Sequence, residues 1–304
     1  MKKLAVILSG VLMGALGFAN ASLSSAINYQ DLQHALESLA DPSHTLVVLD
    51  DDNTLTTMPC PDQNNIQTCQ YIGGTAWGMW QTSLPLDSPE RIGTNSMVYA
   101  ASNLFFALSN EVYTEPDVPV ILSELGAEGA SIIVETARAE DAASATEDQF
   151  NQLQISQGVS LLSFLRSHGL KTLNGQSSLA GSFLPCQKKT ARLVRYEDGV
   201  FYVDGQNKGQ MLQCLFPALD LAGIKNIIFM DDTPQNDVDV SNAYKDQSTY
   251  QVIALVYHGM DAHRDAFLKG SKASEYQAQA TKVWKMLSAV IEAGIAKPSL
   301  NLAS

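Results

Sequence analysis

One stretch decides the fold of this chain: Val47-Val-Leu-Asp50-Asp51-Asp52-Asn53-Thr54-Leu55. Residues 45–49 form a continuous apolar run of strand length, and three carboxylates follow it at once. A strand that lacks polar alternation is typical of a parallel sheet covered by helices on both faces. Open α/β sheets build their sites at the carboxyl ends of such strands. The stretch therefore predicts a buried central strand that ends in a cluster of acidic side chains.

The rest of the chain alternates strand-length apolar runs with helical patterns. Further strands are predicted at residues 131–134, 199–204, 226–230 and 252–256. Helices are predicted over residues 28–40, 147–166, 209–222 and 273–293, the second of them with a capping box at Ser144 and Glu147. This alternation indicates helices packed on both sides of a sheet. We therefore expect an α/β fold, a three-layer Rossmann-like arrangement around a mainly parallel sheet.

The pattern changes in residues 56–118, a segment that we call the insert. It contains two cysteines, a Gly- and Trp-rich stretch and one apolar helix. An insertion directly after an acidic strand end is expected to lie over the site as a cap, so that residues 22–55 and 119–304 form the core. Trp77 and Trp80, with Tyr71, are candidate substrate contacts because aromatic rings stack on sugars, bases and phenols. The alternative is that these rings only pack the insert together.

The first 21 residues are typical of a secretory signal peptide. Met1-Lys2-Lys3 is cationic, residues 4–18 are apolar, and Ala19-Asn20-Ala21 is a cleavage site. The apolar run is shorter than the roughly 20 residues that span a bilayer, so processing is favoured over a short membrane anchor. We therefore expect export to the periplasm or the outside of the cell, with no stable membrane insertion once the signal is removed.

Composition and charge narrow the classes of partner. The 304 residues include 19 Lys and Arg against 32 Asp and Glu, which gives a net charge of −13. A surface this acidic repels a polyphosphate backbone, so no nucleic acid is expected as a partner. A protein partner is not indicated by any pattern in the sequence.

The four cysteines are expected to form two disulfides in an oxidising compartment. Three connectivities are possible for four cysteines. Pairing Cys60 locally with Cys69 closes a polar loop and leaves Cys186 with Cys214. The alternative for the remaining two is a pair of buried free thiols, since free cysteine is often buried.

Two acidic strand ends carry the candidate metal chemistry. Asp50 and Asp52 are two residues apart after the first strand, and Asp231 and Asp232 end a later apolar run. Clustered carboxylates repel one another, and a hard divalent cation such as Mg²⁺ relieves that repulsion through oxygen ligands. Taken alone, such acids also occur as turn or capping residues.

Two further residues supply what transfer of a phosphoryl group needs. Thr136 ends another predicted strand, and its hydroxyl can hydrogen-bond a phosphoryl oxygen. Lys208 opens a predicted helix and offers a cation. Each has an ordinary alternative, a helix cap for the threonine and a solvated surface charge for the lysine. Together with the acidic strand ends they favour one common site.

In this order, the segments resemble the four motifs of the haloacid dehalogenase superfamily of aspartate-nucleophile phosphohydrolases. The first motif, D-x-D-x-T, is present as Asp50, Asp52 and Thr54. The resemblance covers residues 46–256, and the segments around the later motifs are similar to a branch of exported bacterial proteins. It implies an Asp50 nucleophile, which is also a metal ligand, and Asp52 as general acid/base with its backbone carbonyl on Mg²⁺.

The remaining roles also follow from the resemblance. Thr136 and Lys208 would hold the phosphoryl group, and Asp232, with Asp231 beside it, would complete the metal shell. Thr54 joins Trp77 and Trp80 as an expected substrate-binding residue. Whether Asn236 or Asp237 supports the metal shell is left open by their spacing.

The function implied is that of an exported Mg²⁺-dependent phosphatase that hydrolyses small phosphomonoesters through an aspartyl-phosphate. One alternative is a phosphotransferase, since an alcohol can compete with water at the same intermediate. Another is an exported interaction or effector protein that keeps this fold as a scaffold with little turnover, because fold alone does not establish function.

Overall fold

The computed structural model describes residues 20–62 and 65–294. The predicted signal peptide, apart from Asn20 and Ala21, lies outside these residues. In chain order the strands are β1 (Ala21–Ala26), β2 (Thr45–Leu49), β3 (Thr56–Thr57), β4 (Val112–Tyr113), β5 (Ser131–Thr136), β6 (Gln154–Ser156), β7 (Val159–Ser160), β8 (Arg195–Glu197), β9 (Val200–Tyr202), β10 (Asn226–Asp231) and β11 (Gln251–Tyr257). The helices are α1 (Tyr29–Glu37), α2 (Thr75–Ser83), α3 (Asn95–Leu108), α4 (Val118–Ala127), α5 (Ala143–Gln152), α6 (Leu161–His168), α7 (Lys208–Leu215), α8 (Pro234–Tyr244), α9 (Asp261–Leu268) and α10 (Ala273–Gly294).

A mainly parallel sheet forms the middle of the molecule. Among the described residues it has seven strands in the order β1-β11-β10-β2-β5-β9-β8, and β8 is the strand that runs antiparallel to its neighbour. Strand β2 lies between β10 and β5, with Leu49 level with Met230 on one side and Val134 on the other. The predicted α/β, three-layer Rossmann-like class is confirmed.

Both faces of β2 are buried because its side chains alternate between two apolar cores. Val47 and Leu49 pack against α1, α4, α5 and α6, whereas Leu46 and Val48 pack against α7 and α8. A strand with helices on both sides has no polar face, which explains the unbroken apolar run that precedes Asp50. All side chains of β2 are fully buried.

Residues 147–166 do not form the single helix that was predicted. Helix α5 ends at Gln152, a short hairpin of β6 and β7 follows, and α6 begins at Leu161. Gly158 turns this hairpin with a φ of +77°, a conformation that favours glycine. The predicted capping box at Ser144 and Glu147 is wrong, because α5 already begins at Ala143 and its N-cap residue Ala142 makes no side-chain hydrogen bond. Ser160 caps α6. The glycine is the sequence signal that separates the two helices.

The insert does not build its apolar core alone. Strands β3 and β4 pair at its base, and its helices α2 and α3 pack against α9 and α10 from the end of the chain. Phe267 and Tyr276 are buried among the insert's aromatic residues. The core of the insert is therefore shared with two C-terminal helices that the sequence analysis assigned to residues 119–304.

All four cysteines are paired in the structure. One disulfide joins Cys60 to Cys69 and the other joins Cys186 to Cys214, the pairing favoured by the loop argument. Two disulfides fit a protein of an oxidising, extracellular compartment. No helix among the described residues is both long enough and apolar enough to cross a membrane.

Candidate functional site

The acidic strand ends meet at one edge of the sheet. Asp50 follows β2 directly, Asp231 is the last residue of the neighbouring β10, and Thr136 ends β5 on the other side of β2. Lys208 opens α7 and reaches this edge from one face. The four predicted segments therefore converge, because parallel strands place their carboxyl ends together.

Three carboxylates form a buried cluster. One oxygen from each of Asp50, Asp231 and Asp232 lies within 4.8 Å of the others, and all three residues are buried. The ammonium group of Lys208 donates to Asp50 Oδ1 at 2.5 Å and to Asp231 Oδ2 at 2.6 Å. Lys208 is itself almost fully buried. One cation therefore faces two carboxylates directly, whereas Asp232 forms no ion pair within the part of the chain that the structure describes.

Burial and crowding shift the pKa values of these groups. Burial raises the pKa of Asp50 well above its usual value, Asp231 adds to the rise, and Lys208 opposes it. Burial, followed by Asp231, raises the pKa of Asp232 to about 7. Burial lowers the pKa of Lys208, but the surrounding carboxylates more than reverse that effect. A divalent cation would stabilise the ionised cluster, since oxygen ligands are what Mg²⁺ and Ca²⁺ bind.

Asp231 and Asp232 have different surroundings. Asp231 accepts hydrogen bonds from the Thr233 backbone at 2.8 Å and from the Asn236 amide at 2.9 and 3.0 Å, besides the bond from Lys208. Asp232 accepts a hydrogen bond from the Thr233 hydroxyl at 3.2 Å. The oxygens of Asp231 accept the most hydrogen bonds, and those of Asp232 are the least engaged of the three carboxylates. Asn236 serves to fix Asp231.

Two further carboxyl groups are buried around Lys208. Within residues 20–62 and 65–294, neither oxygen of Glu135 or of Asp237 has a hydrogen-bond partner. Burial, followed by the charge of Asp231, raises the pKa of Asp237 to about 9, and burial raises that of Glu135 well above its usual value. Burial therefore favours the protonated, neutral form of both carboxyl groups.

Thr54 holds Asp50 in place. Its hydroxyl donates to Asp50 Oδ2 at 3.2 Å and accepts from the backbone N–H of Asp232 at 2.9 Å. The side chain was predicted to bind substrate, but the residue has no exposed surface. Thr54 thus links the two acidic strand ends, and its role in substrate binding stays a prediction.

Asp52 is not one of the three clustered carboxylates and pairs with Arg138. Both Asp52 oxygens accept hydrogen bonds from the guanidinium at 2.9 Å. The turn that carries Asp52 is tight, because the Asp51 carbonyl accepts from three successive backbone N–H groups and Asn53 has a φ of +65°. Sequence reasoning gave Arg138 no role, although it stands two residues after Thr136.

Thr136 lies at the predicted edge with its side chain buried. Its hydroxyl accepts a hydrogen bond from the backbone N–H of Arg138 at 3.2 Å. Its hydroxyl proton is not used by that bond and remains free to be donated. Thr136 therefore keeps a donor at the strand edge beside Asp50.

The aromatic residues of the insert pack against one another. Trp77 has no exposed surface and meets Phe105 edge to face, so it cannot contact a substrate in this conformation. Trp80 is also buried and packs edge to face on Phe267. Tyr71 stacks on His263 with ring centroids 4.6 Å apart, and this pair lines a small pocket together with Asp52. Tyr71 therefore shares a pocket with Asp52.

The fold and site define an α/β protein of three-layer, Rossmann-like architecture with a buried acidic cluster at the carboxyl edge of its sheet. Residues 25–292 match the family described as "Protein of unknown function (DUF2608)", and the chain belongs to that family. No curated protein matches the sequence.

Proposed function

We propose that this protein is an exported, Mg²⁺-dependent phosphatase that hydrolyses phosphomonoesters through an aspartyl-phosphate on Asp50. The observation that carries the proposal is the setting of Asp50. It lies at a strand end between the ammonium of Lys208 and the hydroxyl of Thr54, within 4.8 Å of an oxygen of Asp232. The resemblance of these segments to the haloacid dehalogenase superfamily supports the same conclusion.

The residues at this edge suit a magnesium ion. Asp50 and Asp232 offer hard oxygen atoms, and burial together with the neighbouring Asp231 raises the pKa of both carboxyl groups, an effect that a bound divalent cation would oppose. The resemblance adds the backbone carbonyl of Asp52. When bound there, Mg²⁺ would offset the charge of the phosphate and allow an anionic nucleophile to approach it.

The residues of the chain can divide the reaction into two displacements. An oxygen of Asp50 attacks phosphorus, the bond from phosphorus to the alcohol oxygen breaks, and Asp52 gives that oxygen its proton. Water then attacks the aspartyl-phosphate and passes a proton to Asp52, and the bond from phosphorus to Asp50 breaks. Lys208 would stabilise charge on the phosphoryl oxygens, and Thr136 would donate a hydrogen bond to one of them.

Export is supported by two independent features. The first 21 residues have the pattern of a signal peptide, and the mature chain carries two disulfides. Together they favour a periplasmic or secreted enzyme. Its substrate would be a small phosphorylated molecule that reaches the insert side of the sheet.

The experiment is Mg²⁺-dependent phosphate release from an aryl phosphate and a panel of phosphorylated metabolites. Asp50→Asn should reduce release to background while the protein stays folded, and EDTA should do the same to the wild type. Asp246→Asn, an exposed acid far along the chain, is the matched control and should keep full activity. A phosphoprotein that is labile to hydroxylamine, formed by the wild type and absent in Asp50→Asn, would identify the acyl phosphate. Turnover that survives Asp50→Asn would refute the proposal.

A further inference from the structure

The contact between Arg138 and Asp52 has a geometry that fixes a carboxylate. Nε donates to Asp52 Oδ2 and Nη2 donates to Asp52 Oδ1, both at 2.9 Å. Two parallel bonds from a planar guanidinium set both the position and the orientation of a carboxylate. Among the described residues, no other side chain is hydrogen-bonded to this carboxylate. Its orientation therefore depends on Arg138.

Arg138 is held on its remaining sides. Nη1 donates to Thr146 at 2.9 Å and to Gln149 at 2.7 Å, and Nη2 also donates to Glu111 at 2.7 Å. The guanidinium carbon lies 3.8 Å from the centroid of the Phe106 ring. The side chain of Arg138 is 2% exposed, whereas that of Asp52 is 23% exposed. A rigid, buried cation thus presents a carboxylate that remains accessible from solvent.

The hydrogen-bonded residues around Arg138 also join both ends of the insert. Thr56 begins β3, where the chain enters the insert, and Glu111 precedes β4, where the chain leaves it. The Thr56 hydroxyl lies 2.7 Å from both Asp51 Oδ1 and Glu111 Oε2. Arg138 therefore aligns Asp52 relative to the base of the insert as well as to the sheet.

We propose that Arg138 is a positioning residue that acts through Asp52. It holds the Asp52 carboxyl group where that group can give a proton to the departing alcohol oxygen. The inference rests on the phosphatase function proposed above. Proton transfer requires heavy atoms at about 2.6–3.2 Å, so a carboxylate free to rotate would lose most of its contribution. Lysine in place of Arg138 keeps the charge but offers a single point donor that cannot fix two oxygens.

The test compares substrates whose leaving groups differ in their need for a proton. Nitrophenolate departs without being protonated, whereas an alkoxide must receive a proton as it departs. The value of kcat/KM reports only the steps up to and including departure of the leaving group. For Arg138→Lys we expect kcat/KM to fall less than about 5-fold with 4-nitrophenyl phosphate and more than about 50-fold with an alkyl phosphate, within the usual range for general acids. In an Asp52→Asn background, Arg138→Lys should change neither value by more than about 2-fold, because a residue acting through Asp52 has nothing left to position.

The controls separate this inference from a loss of folding and from failure of the proposed function. Arg166→Lys alters a surface pair with Asp198 and should leave both substrates unaffected. If Arg138→Lys does not fold, Thr146→Val removes one acceptor of the guanidinium and should give a smaller loss with the same preference for the alkyl phosphate. Equal losses on both substrates, or an undiminished effect in the Asp52→Asn background, would overturn the role of Arg138. In that case, wild-type turnover that is abolished by Asp50→Asn would still support the phosphatase function. No turnover by the wild type would refute both the phosphatase function and the role of Arg138.

Discussion

Glu111 should carry a proton at neutral pH, and replacing it with glutamine tests this directly. The Thr56 hydroxyl has one proton but lies 2.7 Å from oxygens of both Asp51 and Glu111. It can donate to only one of them, so the other carboxyl must donate to it. Burial, with contributions from Asp51 and Asp52, raises the pKa of Glu111 to about 8 in spite of the opposing charge of Arg138. The pKa of Asp51 rises only to about 6, so Glu111 is the better proton carrier.

The expected difference in stability follows from the pKa of Glu111 in the unfolded chain and in the folded chain. Below about pH 4.5 the carboxyl is protonated in both the folded and the unfolded chain, and it costs nothing. Between about 4.5 and 8 the unfolded chain releases the proton and the folded chain keeps it, so stability falls as pH rises. At about 1.36 kcal/mol per pH unit the total loss is roughly 5 kcal/mol above pH 8. Glu111→Gln removes this loss, because its amide can donate to Thr56 and its carbonyl can accept from Arg138.

The assay is urea unfolding of the two proteins from pH 4.5 to 9 in EDTA. The difference in free energy of unfolding should be small at pH 4.5 and should favour Glu111→Gln increasingly up to about pH 8. Titrating groups that do not interact with Glu111 cancel in this difference, and Glu128→Gln, at an exposed position, should show no such trend. If Glu111 is instead an ionised partner of Arg138, the variant will lose about 3–5 kcal/mol at pH 7, and that loss would refute the reasoning.

Three other predictions can be checked with standard measurements. Mg²⁺ at a concentration 100 times Kd should raise the free energy of unfolding of the wild type by about 2.7 kcal/mol, and Asp232→Asn should remove most of this gain. An unchanged free energy of unfolding in the wild type would contradict the metal site. Trp77→Ala should cost about 3–5 kcal/mol of stability because the buried ring leaves a cavity, and a change in specificity at unchanged stability would return Trp77 to the substrate contacts. Thiol titration of the denatured, unreduced mature protein should find no free thiol, and a count of four would overturn the disulfides.

The acidic strand ends could be predicted from sequence because the signal is local. Each carboxylate follows an apolar run, and a parallel sheet brings the ends of such runs together whatever the loops between them do. This rule places Asp50 beside Asp231 although 181 residues separate them in the chain, and Lys208 joins them at the start of a helix. The fold class followed from the same alternation of strands and helices.

The contacts around Arg138 and Asp52 could not be predicted, because no local sequence pattern indicates them. Glu111 meets Thr56 across 55 residues of sequence, and its burial depends on how the insert closes at its base. Strand β1 was also missed: it is a polar, largely exposed edge strand that lacks the apolar pattern of the others. Trp77 was assigned to substrate by its residue type, and only packing against Phe105 shows that its ring is enclosed.

The shared core of the insert constrains the order in which the molecule can fold. Tyr71 packs on His263 and Phe267, which are synthesised almost 200 residues later. The insert therefore cannot complete its core until the end of the chain is available. Such long-range contacts slow folding, and the aromatic face of the insert stays exposed in the meantime. During the proposed export, this apolar surface would therefore stay exposed throughout translocation. The Cys60–Cys69 loop is closed by residues only nine positions apart, so its oxidation needs no late partner.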